Sequence, residues 1–341
     1  MMKTRRFLLA SGGASLLVAG CQRSTSQPAS ESVVQIERLH PRLDGLISPG
    51  SEARVLGTGY QWAEGPAWDR QRGCLYFTDV PANRAYRWRP GEAVEVWLDP
   101  SGIPASEAAG FREPGANGLW MRADGSLLAC VHGSRSVEVL DPDTLSRTPL
   151  VSEFEGQRFN SPNDLVEASD GSIYFTDPPY GLEGLDASPL KEMSVNGVYR
   201  RRPDGQVERL VSDMSFPNGI ALSPDERRLY VAQSDPGAPV IRRLDLDADG
   251  AIIGDQHLFD ATGLDGPGLP DGMAIDDQGH IFATGPGGVL ILAPDGTLLG
   301  RILTGRGTAN CAFGEDGRTL FMTAQDRLLR LETRSRGVQW M

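Results

Sequence analysis

Polar and apolar positions along this chain spell one phrase six times. A polar residue, most often Asn or Asp, opens a small apolar stretch, a Gly/Asp turn follows, and a second apolar stretch closes the unit. The copies begin at Glu64 (EGPAWDRQRGCLYFTDV), Asn117 (NGLWMRADGSLLACVHG), Asn163 (NDLVEASDGSIYFTDP), Asn218 (NGIALSPDERRLYVAQS), Asp271 (DGMAIDDQGHIFATGP) and Asn310 (NCAFGEDGRTLFMTAQ). Each copy reads as two antiparallel strands around a turn, and the period of about 40–55 residues is that of propeller blades. Six copies predict an all-β, six-bladed β-propeller. Clear strands run out after Leu331, so the segment Ala53 to Leu56 is expected to complete the last blade beside 320–323 and 327–331. Radial repetition then places the six leading residues, two carboxylates and four carboxamides, in a ring around one channel mouth.

A repeat running from about residue 60 to 330 leaves no room for a second core, so the 341 residues predict one folded domain, 51–341. The 41 Gly and 24 Pro suit short strands and many turns, among them Pro203-Asp204-Gly205 and Pro294-Asp295-Gly296 after third strands. The formal charge is −12, and removal of a leader holding Lys3, Arg5 and Arg6 subtracts three positive charges to give −15. That sign argues against nucleic acid or an anionic membrane face as partner, and the simplest role of the acidity is solubility. Nothing in the sequence sets the oligomeric state.

Residues 1–20 read as an export signal. Thr4-Arg5-Arg6-Phe7-Leu8-Leu9 is a twin-arginine start, Leu8 to Val18 is a short apolar core, and Leu17-Val18-Ala19-Gly20-Cys21 resembles a bacterial lipobox. Cys21 would carry the lipid, and residues 21–50, with the Ser/Gln/Pro-rich run Gln22 to Ser32, would form a flexible tether. The expected location is the periplasm, with the membrane touched only through that lipid. A secretory peptide cleaved without lipidation remains the alternative, since Ala19 also suits it. Cys74, Cys130 and Cys311 remain in the mature chain. An odd number cannot all pair internally, and Cys74 and Cys130 lie in apolar strand stretches, as buried thiols do. No CxxC occurs and His40, His132, His257 and His280 lack zinc spacing.

Glu64, Asn163, Asn218 and Asp271 occupy the same place in four different repeats and offer hard oxygens with two negative charges. One divalent cation fits that set, calcium first, with magnesium, manganese or zinc left open. Two carboxylates facing one axis without a cation would repel and lose hydration at a cost of several kcal/mol. A lone Asn-Gly is ordinarily only a turn former, but turn chemistry does not require six such residues in phase at the start of each repeat.

The segments AEGPAW, SPNDL, FPNGIALSPDE and PDGMAID resemble, in this order and over roughly residues 50–331, the regucalcin/gluconolactonase family. The resemblance implies a propeller with a divalent ion in its channel and hydrolysis of sugar lactones. It implies that Glu64, Asn218 and Asp271 hold the metal, that Asp271 is also the proton acceptor, and that Asn163 contacts both substrate and ion. The family's Arg-x-Asn pair appears as Arg158-Phe159-Asn160, followed by Asn163, so either asparagine can be the matching one, and the role of Arg158 as a substrate anchor depends on which it is. In the loop Asp177-Pro178-Pro179-Tyr180-Gly181, Tyr180 would stack on or hydrogen-bond the ligand, or simply pack the loop. His132 is expected in the pocket wall, beside Asn117, which cannot take a proton.

For a lactone, the cation would polarise the carbonyl and Asp271 would serve as general base toward water. Asn117, Asn163 and Asn310 would donate hydrogen bonds to sugar hydroxyls or to the developing oxyanion. No G-x-S-x-G elbow and no strand-led G-x-G-x-x-G is present. Two alternatives use the same ring: a phosphotriesterase or other ester lactonase, and a non-enzymatic binding propeller.

Overall fold

In the computed structural model the described residues are 34–341; the leader, Cys21 and the Ser/Gln/Pro-rich run lie outside them. Each sequence phrase supplies the first two strands of a four-stranded antiparallel blade. Blade one is Ala63–Asp69, Cys74–Asp79, Arg84–Trp88 and Glu95–Leu98. The first strands of the next four blades are Ala116–Met121, Leu165–Glu167, Pro217–Leu222 and Met273–Ile275, and blade six starts at Asn310–Gly314. The first strand of every blade packs against the first strand of the next, and that of blade six returns to blade one, so the first strands form the inner ring.

Ala53–Thr58 closes the circle by pairing with Arg327–Glu332, in register Ala53↔Leu331 and Val55↔Leu329. The last blade is therefore built from both ends of the domain, as its missing fourth strand required. Trp68 of blade one stacks on Phe321 of blade six, with centroids 5.7 Å apart, and fills the seam. The tether expected through residue 50 ends earlier. Gln35–Arg38 adds a fifth strand to blade five against Leu298–Leu303, and the 3-10 turn Pro41–Gly45 follows it. Val34, Leu43, Leu46 and Ile47 are buried in the core shared by blades five, six and one, which gives this stretch a reason to be ordered.

The core lies between blades. Apolar clusters fill the interfaces, one of them continuous across blades five, six and one, with Phe159, Phe175 and Tyr199 stacking between blades two and three, and Phe77, Tyr60 and Tyr86 in blade one. Cys74, Cys130 and Cys311 are free and buried, as their strand settings predicted for the first two. Among the described residues no helix is long and apolar enough to cross a membrane.

Candidate active site

The repeat aims its leading residues by a local device. In blades one, two and four the ladder between the first two strands breaks register at Glu64/Ala67, Ala116/Leu119 and Pro217/Ile220, each break spanning the leading residue and its Gly. Such a bulge re-aims a side chain out of the alternating pattern, here toward the axis. In blades three and five the first strand begins two residues after Asn163 and Asp271, so these too stand at the strand's mouth. Glycine follows because the backbones nearly touch at the axis: a Cβ at Gly219 would lie 2.0 Å from the Asp271 carbonyl oxygen. Threonines at one position of the second strands fasten the ring, Thr78 Oγ1 donating to the Asn117 carbonyl and Thr176 Oγ1 to that of Asn218. The Asp of each YFTD copy holds the loop leading into its blade: Asp79 accepts from the Gln61 and Trp62 amides and Asp177 from that of Asn160.

A cavity of about 640 Å³ opens at this mouth, and Glu64, Asn117, Asn163, Tyr180, Asn218 and Asp271 all line it. Of the two asparagines left open by the sequence, Asn163 faces the cavity, whereas Asn160 is fully buried and spends its amide on the Asp177 and Val195 carbonyls. Two expected substrate residues are elsewhere. Arg158 is exposed at the end of the hairpin Glu153–Phe154/Gln157–Arg158, with its guanidinium donating to the Ser134 carbonyl, outside the cavity. Asn310 is followed by Cys rather than Gly, its strand pairs with Thr319–Ala324 without a bulge, and its Oδ1 folds back onto the Cys311 amide. It lines a second, mostly apolar cavity of about 210 Å³ between the inner strands, which Val338 and Trp340 also line. His132 is fully buried behind the wall, its Nε2 3.3 Å from Asn117 Nδ2.

Sequence reasoning missed Arg112 and Glu113, which reach the cavity from the loop between blades one and two, and Asp164 beside the axis. The first two lie in a stretch with no repeat periodicity. Asp164 stands where four of the other five repeats carry Gly, and that exception was its signal. It accepts from the Leu165 amide and, through its other oxygen, faces Asn310.

Burial dominates the electrostatics. It pushes the Glu64 carboxyl upward, Asp164 adding to the effect, against lowering hydrogen bonds from the Gly65 amide and the Trp62 indole. Asp271, which stays partly open to the cavity, is likewise raised by enclosure and by the nearby Glu64 charge. Asp164 is pushed up to about 6 by burial. Each of these carboxyls is therefore harder to ionise than an ordinary one, and a cation bound beside Glu64 and Asp271 would offset that cost. Asn218 tests whether such a cation fits. Ser234 Oγ gives its proton to the Pro270 carbonyl and so must accept from Asn218 Nδ2, which leaves Asn218 Oδ1 buried with no donor. An orphaned amide oxygen beside two desolvated carboxyls is the donor set of a hard divalent cation. Among the described residues no group of three or more His, Cys, Asp and Glu side chains is clustered to hold a metal, so any such site needs the Asn oxygens.

A six-bladed propeller with this ring at one mouth defines the class to which comparison assigns the chain. Residues 62–326 match the SMP-30/Gluconolactonase/LRE-like region, and the chain belongs to that family. It is 42% identical over 334 residues to a gluconolactonase of Zymomonas mobilis, covering 94% of this chain and 92% of that one. A pentonolactonase of Haloferax volcanii is 28% identical over 274 residues, 79% of this chain and 84% of its own. The solved gluconolactonase of Xanthomonas campestris superposes with a TM-score of 0.76 at 32% identity, covering 87% of this chain and 94% of the other.

Proposed function

We propose that this protein is a lactonase that opens sugar aldonolactones such as gluconolactone, at the cavity ringed by Glu64, Asn163, Asn218 and Asp271. The single observation that carries the reading is the convergence of these four side chains, from four blades, on one cavity in a chain with a gluconolactonase relative at 42% identity. One divalent cation, calcium by preference, would be held by those four oxygens and would act as a Lewis acid on the lactone carbonyl.

The protein's own groups supply the rest. Asp271 takes a proton as water attacks the carbonyl carbon; when the ring C–O bond breaks, it returns that proton to the departing ring oxygen, leaving a hydroxy acid. Glu64, fixed by Trp62 and the Gly65 amide, holds its charge at a constant position beside Asp271. The Tyr180 hydroxyl is buried without a partner at the cavity wall, a donor available to a substrate oxygen, while its ring is held by stacking on Phe216, with centroids 5.7 Å apart. The experiment is hydrolysis of glucono-1,5-lactone by wild type and Asp271→Asn, with spontaneous opening subtracted. Loss of activity together with partial metal retention supports the reading, and unchanged activity refutes it.

For the cell, the proposal is export and anchoring through Cys21, supported by Arg5-Arg6 and by Leu17 to Cys21. With Gln22 after the lipidated Cys, outer-membrane sorting is the expected course in a Gram-negative cell. Cys21→Ala should move the protein from the membrane to the soluble fraction, and continued membrane fractionation would contradict the anchor.

A further inference from the structure

His132 has no titrating role in the reaction just described, yet it is fully buried and touches a cavity residue. Its Nε2 lies 3.3 Å from Asn117 Nδ2, and its Nδ1, buried and without a hydrogen-bond partner, faces Glu113 Oε2 at 3.7 Å. Glu113 is itself paired through its other oxygen with the Arg112 guanidinium, which favours its ionised form against burial, the larger influence, that raises its carboxyl. The backbone fixes all three. The Arg112 and Glu113 amides both donate to the Gly181 carbonyl, and a Cβ at Gly181 would stand 2.7 Å from His132 Cβ, so the Tyr180 loop lies directly on the imidazole. Asn117 is pinned from its other side by Thr78 Oγ1 on its carbonyl.

With Glu113 ionised in its pair with Arg112, one proton arrangement satisfies this set. A carboxylate accepts and cannot donate, so the imidazole proton belongs on Nδ1, facing Glu113. Nε2 is then a lone-pair acceptor, and the Asn117 amide must turn its NH2 toward it. We propose that Glu113 and His132 are positioning residues which turn the Asn117 carboxamide oxygen into the cavity, making Asn117 a hydrogen-bond acceptor that selects lactones carrying a hydroxyl group. This reverses the donor role expected of Asn117 from sequence. Ser234 does the same for Asn218 across the cavity, its own proton being committed to the Pro270 carbonyl. The two devices present oxygens from both sides. Burial, and after it the Arg112 charge, pushes the His132 pKa down to about 3, so the imidazole stays neutral across the working pH range.

The inference rests on the lactonase reading for its substrate and on the wild-type protein alone for its geometry, and the two are tested apart. Full-length protein labelled with 15N-histidine should show His132 as the Nδ1–H tautomer, its signal assigned by its disappearance in His132→Gln. A protonated Nε2 would overturn the proposal whatever the enzyme hydrolyses. In kinetics, His132→Leu should raise KM for glucono-1,5-lactone roughly three- to ten-fold, the worth of one hydrogen bond, and change KM for unsubstituted δ-valerolactone by less than about twofold. His132→Gln, whose amide oxygen can reach the place of Nε2, should restore most of the loss. Equal losses on both lactones, or no rescue by Gln, would mean that His132 only packs the wall. Failure of wild type to open either lactone would sink the lactonase reading while leaving the tautomer measurement decisive for this one.

Discussion

Gly219→Ala tests whether close approach of two blades sets the position of Asp271. The added Cβ would meet the Asp271 carbonyl oxygen at 2.0 Å, and the Asp271 carbonyl carbon and Gly272 Cα at 2.6 Å each. Ordinary contact begins at 3.4 Å, so the worst overlap is about 1.4 Å, and every atom met is backbone that no rotamer change can move away. Relief requires blades four and five to separate at the axis, which displaces Asp271 by up to about 1 Å. Overpacking of this kind costs about 1–3 kcal/mol of stability, and a 1 Å misplacement of a reacting group costs about 100-fold in rate, or ~2.7 kcal/mol of barrier. The variant should therefore fold, lose a few degrees of Tm, and lose about 100-fold in lactone hydrolysis measured by pH-stat. Gly45→Ala, with nothing within 4 Å of the added carbon, serves as the inert control. Activity within about twofold of wild type in Gly219→Ala would refute the reasoning.

Further outcomes follow from the same geometry. Glu64→Gln should weaken metal binding first, with activity partly restored by excess calcium, whereas Asp271→Asn should lose hydrolysis that calcium does not restore; calcium titrations with paired kinetics separate the two. Phe321→Ala, at the seam against Trp68 and Trp88, should cost about 3–5 kcal/mol in urea unfolding with KM unchanged, and a shifted KM would show that the seam shapes the site. Burial pushes Asp177 up to about 7 from the ordinary 3.8. The folded state thus holds a proton that the unfolded chain has lost, and stability declines as pH rises between those values, levelling above about 7. Asp177→Asn removes that dependence, so between pH 5 and 8 wild type should lose roughly 2–3 kcal/mol more than the variant; parallel profiles would show that Asp177 ionises normally.

The repeat was legible because one physical device recurs: a polar residue and two apolar strands in every copy and, in four of the six, a Gly that permits backbones to meet. That was enough for six blades, for closure by 53–56, and for the placement of Glu64, Asn117, Asn163, Asn218 and Asp271 around one cavity. The phrase misled where a copy kept its polar residue and lost its glycine. Asn310-Cys311 forms no bulge and turns its amide inward, and Asn163-Asp164 adds a buried carboxyl that a count of leading residues omits. Periodicity carries no information about loops that occur once, so Arg112 and Glu113 went unseen and Arg158 was placed in a pocket it does not reach. The strand Gln35–Arg38 was hidden for a similar reason: four residues with two charges give little alternation, and its burial comes from neighbours at 34, 43, 46 and 47.

The central claim is a cation-assisted lactone hydrolysis centred on Asp271, and one measurement tests it most directly. Purified wild type and Asp271→Asn are stripped with chelator and supplied again with calcium, and proton release from glucono-1,5-lactone is followed above the spontaneous rate. Wild type should lose activity on stripping and regain it with calcium, while Asp271→Asn should stay at the spontaneous rate throughout. Full activity in stripped wild type, or equal activity in the variant after calcium is restored, would contradict the account.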